Sequence, residues 1–359
     1  MENKTKLEKL GFSRWFQDRV DSGKLRDFEI ARILTVNKNS FIVGNGKTEI
    51  IAEVTGKFVF NAGSAGDYPV VGDWVYVQYF DQDTFAIIHE IFPRKTILKR
   101  KTAGKNVEFQ LLASNIDIAL IMQSLDGNFN LRRLERYLVM IRNSAIDPVM
   151  LLSKSDLILT SEIEKKKSMV KDQLMDVPVV DFSNNDENGV ERVKQLLTPM
   201  KTYCLLGSSG VGKTTLLNKL LEQERFETQS VREKDGRGRH TTSRRQLIIL
   251  DNGAMIIDTP GLRELGIFDV EQGMSETFDE IMELSQQCRF RDCSHMQEEG
   301  CAVLTALSEG TISKERYQNF MKIRKEATHY EMSYLEKRRR DKEFGKLIKS
   351  IMKHKKNKK

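Results

Sequence analysis

A small antiparallel β-barrel, then an α/β layer on a mainly parallel sheet, then a helical C-terminal part is the fold class the sequence predicts. Three observations carry it. Residues 28–92 alternate apolar and polar positions in short runs; from about residue 113 apolar runs alternate with stretches of helical period; after residue 270 the pattern turns helical and gathers three cysteines and a histidine. At 359 residues and 39% hydrophobic, the chain has room for two or three domains, each with its own core.

The runs "FEIARILTV", "SFIVGNGKTEIIAEV", "DWVYVQYF" and "TFAIIHEIF" are bounded by turn signals at Gly44-Asn45-Gly46, 63–67 and 81–83. That many strands in so short a span fit an oligonucleotide-binding (OB) type of barrel. A basic run from Arg94 to Lys105 follows as a linker or strand edge. "IDIALIMQS" and "DPVMLLSKSD" read as buried strands, and "LRRLERYLVMIRNS" between them puts Leu131, Leu134, Leu138 and Ile141 on one helical face. "VPVVDFS", the helical "NGVERVKQLL", the strand "KTYCLLG" and the helical "KTTLLNKLLEQE" continue a parallel-sheet pattern with helices on both faces. "RRQLIILDNGAMIIDTPG" adds a hairpin across Asn252-Gly253. The expected domains are an extension at 1–27, the OB-type barrel at 28–100, the α/β domain at 101–270, a helical domain at 271–336 and a basic tail at 337–359.

The sharpest motif is Gly207-Ser208-Ser209-Gly210-Val211-Gly212-Lys213-Thr214, which matches G-x-x-x-x-G-K-[ST] between a strand and a helix. Its glycines let backbone N–H groups face phosphates at a helix N-terminus; Lys213 supplies charge to the β- and γ-phosphates, and Thr214 a hydroxyl to Mg²⁺. Thr215 continues the loop. A nucleoside triphosphate is therefore the expected ligand. Downstream, Asp258 and Gly261 form Asp-x-x-Gly at a strand end, suited to holding Mg²⁺ and sensing the γ-phosphate. Between the two, "GRGRHTTS" offers Thr241 or Thr242 for the metal shell. Leu262 stands where many GTPases carry the glutamine that orients water, which predicts slow intrinsic hydrolysis. His240 is either a substitute for that glutamine or an exposed loop histidine.

Ser153-Lys154-Ser155-Asp156 is close to the Asn-Lys-x-Asp element that reads guanine, with Asp156 for the base edge and the Lys154 stem over the ring. Ser153 replaces the usual asparagine, which alters a tethering bond. Ser183 in "DFSNN" would begin the next base-contacting loop, with Asn184 where alanine is usual. This element precedes the phosphate loop, the reverse of the ordinary order, so the sequence predicts a circularly permuted P-loop GTPase fold. A P-loop ATPase and a nucleotide-gated RNA-binding module with incidental hydrolysis are the alternatives.

Cys288-x4-Cys293-x-His295-x5-Cys301 offers three thiolates and an imidazole within fourteen positions, the donors of a closed, structural Zn²⁺ site; unrelated free thiols are the alternative. Cys204 reads as a buried core thiol. Tyr317, Phe320, Ile323, Ala327, Tyr330 and Tyr334 recur at helical spacing and are expected to pack on the zinc module. The net charge is +7, yet from Lys337 onward twelve Lys/Arg against Asp341 and Glu343 give +10, so the preceding residues sum to −3 (7 − 10). Nucleic acid, an anionic membrane surface or plain solvation all suit such a tail. The N-terminus lacks an apolar leader, and no apolar run approaches the roughly 18 residues a membrane span requires, so a cytoplasmic protein is expected.

Ser153 to Asp156, Gly207 to Thr215, "GRGRHTTS", Asp258 to Leu262, "CRFRDCSHMQEEGCAV" and "NFNLRRLERYLV" together resemble the ribosome small-subunit-dependent GTPase A family, RsgA. That resemblance implies an OB barrel, a permuted GTPase and an α-helical zinc-binding domain. It implies binding to the small ribosomal subunit and its rRNA, a role late in subunit maturation and GTP hydrolysis stimulated by the subunit. It places the catalytic histidine at His240 and the zinc ligands at Cys288, Cys293, His295 and Cys301. A monomer is expected. Glu298 stands where the family often has proline, and the long basic C-terminus exceeds that of a typical member, as in a divergent paralogue.

Overall fold

The computed structural model describes residues 2–38, 40–101, 109–174, 176–222, 245–258 and 271–331. His240, Thr241, Thr242, Gly261, Leu262, Tyr334 and the basic tail lie outside them. The chain divides into two compact units, Met1–Arg100 with Gln110–Leu265 and Lys101–Phe109 with Gly266–Lys359.

The first unit opens with helices α1 (Glu2–Lys9) and α2 (Arg14–Gln17) and strands β1 (Glu29–Val36), β2 (Phe41–Gly44) and β3 (Glu49–Val54). Helix α3 (Gly56–Asn61) and strands β4 (Trp74–Phe80) and β5 (Phe85–Ile91) follow. The strands pair in the order β1-β2-β3-β5-β4, and β4 returns to β1 to close the barrel. Alternation does the sorting: along β3, Ile50 and Ala52 point inward while Glu49 and Ile51 face solvent. Ala31, Ala52 and Ala86 share the interior with Ile33, Val43, Val75, Val77 and Ile88, small beside large. The N-terminal segment is not a loose extension, since Leu10, Phe12 and Phe16 are buried with Trp74, Tyr76 and Phe92.

Strands β6 (Ile97–Lys101) and β7 (Phe109–Ser114) form a two-stranded ribbon. Then come β8 (Ile118–Ser124), α4 (Leu131–Arg142), β9 (Asp147–Ser153), α5 (Thr160–Gln173), β10 (Val179–Asp181), α6 (Glu187–Leu196), β11 (Thr202–Gly207), α7 (Lys213–Leu221), β12 (Arg245–Ile249) and β13 (Met255–Asp258). Strands β10, β9, β8, β11 and β13 lie side by side and parallel, with β12 antiparallel at the end. Leu120, Leu151, Phe182, Leu205, Leu216 and Ile256 form part of the core between this sheet and its helices. Strand β1 of the barrel pairs with β12 at Thr35↔Gln246 and Val36↔Arg245, so barrel and α/β layer share one eleven-stranded sheet.

Two arginines, one buried and one half-buried, hold this junction. Arg32, 1% exposed, donates to the carbonyls of Leu10 (2.5 Å), Asn115 (3.2 Å) and Gly72 (3.3 Å), tying the N-terminal segment, the barrel and the entry to β8. Burial lowers its pKa to about 10, so it stays charged at neutral pH. Arg94 grips the fully buried Asp73 with two bonds of 2.8 Å, and Asp73 also accepts from Ser114 and from the Val70 N–H. Breaking such a pair strands a buried charge, at a cost of about 3–5 kcal/mol. Asp73→Ala should therefore lower the urea midpoint by that equivalent; a midpoint unchanged from wild type would contradict the assigned role.

The second unit holds α8 (Glu271–Thr277), α9 (Asp279–Ser285), α10 (Ala302–Glu309) and α11 (Lys314–Glu331). On α11, Phe320, Ile323 and Ala327 are buried, and the Phe320 ring meets Phe278 edge-on at 5.5 Å, the packing expected of that apolar face.

Candidate nucleotide site and metal centre

Strand β11, buried along its whole length, delivers the chain to the phosphate loop. Gly207 leaves it at φ +147°, and a Cβ there would stand 2.4 Å from the Met122 carbonyl, so only glycine lets the loop start so close to β8. Gly212 sits at φ +95°, with Asn184 Nδ2 2.6 Å from where its Cβ would be. The ammonium of Lys213 bridges the carbonyls of Gly207 and Ser208, at 2.7 Å each. Thr214 is exposed and Thr215 half-buried in the first turn of α7. Asp258 ends β13, and burial raises its pKa while the nearby Lys213 charge draws it down. A partly buried carboxyl facing a lysine is suited to a cation.

The end of β9 lies beside this loop. Ser153 is fully buried and its hydroxyl donates to the Val211 carbonyl at 2.7 Å, so a serine does tether the end of β9 to the phosphate loop. Lys154 adopts a left-handed conformation, φ 61° and ψ 39°, and its ammonium pairs with Asp126 at 2.8 Å. Burial opposes the ionised form of Asp126, but the bonds from Lys154, the Asn128 N–H and Ser124 outweigh it and hold its pKa at about 2. Strand β10 runs parallel to β9 and brings 183–185 alongside, where the Ser155 N–H donates to the Phe182 carbonyl at 3.2 Å. Asn185 Nδ2 donates to Asp156 Oδ2 at 3.0 Å. The bond from Ser183, opposed in part by burial and helped by Asn185, keeps the exposed Asp156 below the usual carboxylate range. Asn184 reaches across to the Gly212 carbonyl at 3.2 Å. Ser153 to Asp156, Ser183 and residues 207–215 are thus brought together on one side of the sheet. Asn184 and Asn185 of the expected 181–185 loop join them, and Asp126 does so unannounced by any motif.

In the second unit, ligand atoms of Cys288, Cys293, His295 and Cys301 all lie within 4.8 Å of one another. Four such donors around one tetrahedral Zn²⁺ should stand about 3.6–3.8 Å apart. Cys288 Sγ is 3.8 Å from Cys301 Sγ and 3.6 Å from His295 Nδ1, and His295 Nδ1 is 3.4 Å from Cys301 Sγ. The tautomer agrees. Ser285 donates its only proton to the Ile281 carbonyl (2.7 Å), so it accepts from His295 Nε2–H (3.1 Å) and leaves the Nδ1 lone pair for the metal. Tyr317 fixes the His295 carbonyl at 2.6 Å. Glu298 gathers Ser294, Met296 and Gln297 through their N–H groups, holding the turn between ligands by hydrogen bonds where proline would do so by its ring. The Cys3His set fits a structural Zn²⁺ with no open position.

A Ser-Lys-Ser-Asp strand end ahead of the phosphate-loop strand, on a parallel sheet fused to a five-stranded barrel, is the order of a circularly permuted P-loop GTPase. The RsgA GTPase family model matches residues 91–268. A relative from Bacteroides thetaiotaomicron, small ribosomal subunit biogenesis GTPase RsgA 1, is 37% identical over 333 residues, 92% of each chain. The chain belongs to the RsgA GTPase family. A Lactiplantibacillus plantarum relative, small ribosomal subunit biogenesis GTPase RsgA 2, is 40% identical over 84% of each chain. The crystal structure of YjeQ from Thermotoga maritima superposes with a TM-score of 0.61 at 25% identity, covering 82% of this chain and 97% of that one. YloQ, a circularly permuted GTPase, shares the fold with a TM-score of 0.61 at 24% identity, over 86% of this chain and 97% of its own. Mg²⁺ accompanies GTP in such a site, and among the described residues no helix is long and apolar enough to cross a membrane.

Proposed function

We propose that this protein binds the small ribosomal subunit through rRNA, assists its late maturation in the cytoplasm, and hydrolyses GTP faster when bound there. The observation that carries this is the match to the Bacteroides relative, named for small-subunit biogenesis, over 92% of each chain. In the proposed site, Gly207, Ser208, Ser209, Gly210, Val211 and Gly212 turn N–H groups to the phosphates, and Lys213 neutralises the β- and γ-phosphates. Thr214, Asp258 and Thr241 complete the Mg²⁺ shell, Gly261 senses the γ-phosphate, and His240 orients water in place of the missing glutamine. Asp156 accepts from guanine N1–H and the 2-amino group, Lys154 covers the ring, and Ser155 and Ser183 shape the pocket. The domain boundaries read from the sequence belong to the same proposal, with the tail from Lys337 as an electrostatic anchor on RNA.

The guanine assignment is tested by Asp156→Asn. Losing two charge-assisted hydrogen bonds, at about 1.5–3 kcal/mol each, should weaken GTP by roughly 10²- to 10⁴-fold and favour xanthosine triphosphate. Equal affinity of the wild type for ATP and GTP would overturn it in favour of an ATPase. The partner is tested by co-sedimentation with purified small subunits, where binding with a non-hydrolysable GTP analogue and release with GDP is expected. Equal pelleting with large subunits would contradict the assignment.

A further inference from the structure

Arg133 belongs to none of the nucleotide motifs. It is the third residue of α4, and the Asn130 side chain that caps this helix accepts the Arg133 N–H at 3.1 Å, so its backbone is fixed. Its guanidinium Nη1 donates to Ser208 Oγ at 3.1 Å, while the carbonyl of the same Ser208 accepts from Lys213 Nζ at 2.7 Å. Two cations thus meet on one residue of the phosphate loop. Lys154 and Arg94 each have a carboxylate, but among the described residues no carboxylate pairs with Arg133. Of the five N–H donors of this half-buried guanidinium, one is spent, on a neutral hydroxyl. A guanidinium with no carboxylate of its own and donors to spare, at the lip of a phosphate loop, makes a place for an anion.

The end of the loop at which they gather is the one marked by Lys213, whose ammonium serves the β- and γ-phosphates in this motif. We propose, on the GTPase reading above, that Arg133 is a cis-acting arginine that donates to the γ-phosphoryl oxygens of bound GTP and holds them more strongly as hydrolysis proceeds. Water oxygen bonds to the γ-phosphorus while the bond to the β,γ-bridging oxygen breaks, its electron pair leaving on GDP. One water proton stays on the phosphate released and the other passes to solvent. Arg133 stabilises the charge on the transferring group, which matters more where Leu262 replaces the glutamine.

The test is Arg133→Gln and Arg133→Lys in the full chain, measuring intrinsic kcat, affinity for fluorescent GDP, and the gain in GDP affinity on adding aluminium fluoride. Arg133→Gln should lower kcat by on the order of 10²-fold, leave GDP affinity within about twofold, and abolish the fluoride gain; Arg133→Lys should recover part of both. A kcat within about twofold of wild type in both variants would overturn the proposal. So would a parallel loss of GDP affinity, because Arg133 would then shape the loop and not meet the γ-phosphate. The wild-type rate in the same assay tests the GTPase reading separately.

Discussion

Lys213→Ala should reduce GTP turnover by on the order of 10²- to 10³-fold, the usual loss when one preorganised charge is removed from a reacting oxyanion. The structure makes the lysine hard to replace. Its ammonium lies at 2.7 Å from both the Gly207 and Ser208 carbonyls, so its position is set before nucleotide arrives and no reorganisation accompanies the reaction. The variant should fold, because the junction held by Arg32 and the Asp73–Arg94 pair is untouched. Single-turnover hydrolysis with a thermal unfolding control checks this, and turnover near wild type would remove Lys213 from the mechanism.

Removing zinc should unfold the described helices of the second unit. Between Glu271 and Glu331 the core rests on Met274, Phe278, Ile281, Val303, Ala306, Ile312, Phe320, Ile323 and Ala327 beside two of the cysteines, a modest set for a segment of about 60 residues, and units of that size commonly depend on a staple. Structural Zn²⁺ contributes apparent binding energies of about 10–16 kcal/mol in comparable small sites, far more than this core has to spare. Cys293→Ser should therefore lose the single Zn²⁺ per chain by elemental analysis and, with it, the circular-dichroism signal of these helices, while the first unit stays folded. Full zinc content in the variant, or unchanged helicity without zinc, would count against a structural role.

Much of this architecture was legible because the elements that build it have strong periods. The barrel strands, the runs of β8, β9 and β11 and the face of α4 each repeat over enough positions to declare themselves. Helix α5 did not, since only Ile163 and Val170 are buried along its fourteen residues, Met169 is exposed and the rest is charged or polar. The N-terminal segment escaped for a related reason: α2 has four residues, too few for a period, and the burial of Leu10, Phe12 and Phe16 depends on Trp74 and Phe92, far along the chain. The fusion of barrel and α/β layer through β1 and β12 is likewise a pairing between distant segments that no local pattern encodes.

The site divides in the same way. The phosphate loop was legible because its chemistry demands glycines and a lysine at fixed spacing. The partners of Lys154 and Asp156 were not, since Asp126 to Lys154 and Asn185 to Asp156 span 28 and 29 residues. Ser153 shows why a substitution read from sequence can mislead. Its hydroxyl is shorter than an asparagine amide, yet it reaches the Val211 carbonyl because β9 ends close to the loop, so the tether survives in another chemical form. The zinc ligands were legible by spacing, but the Ser285 hydroxyl that selects the His295 tautomer lies outside the cluster and was not.

On the proposed function, GTP hydrolysis here serves the small ribosomal subunit. Steady-state GTP hydrolysis by the full-length protein, alone and with purified small or large subunits over a range of salt, tests it most directly. A slow rate alone, a rise of at least about tenfold with small subunits, a flat response to large subunits, and stimulation that weakens as salt rises through loss of phosphate-backbone contacts are expected. A rate indifferent to small subunits at every salt concentration would contradict it.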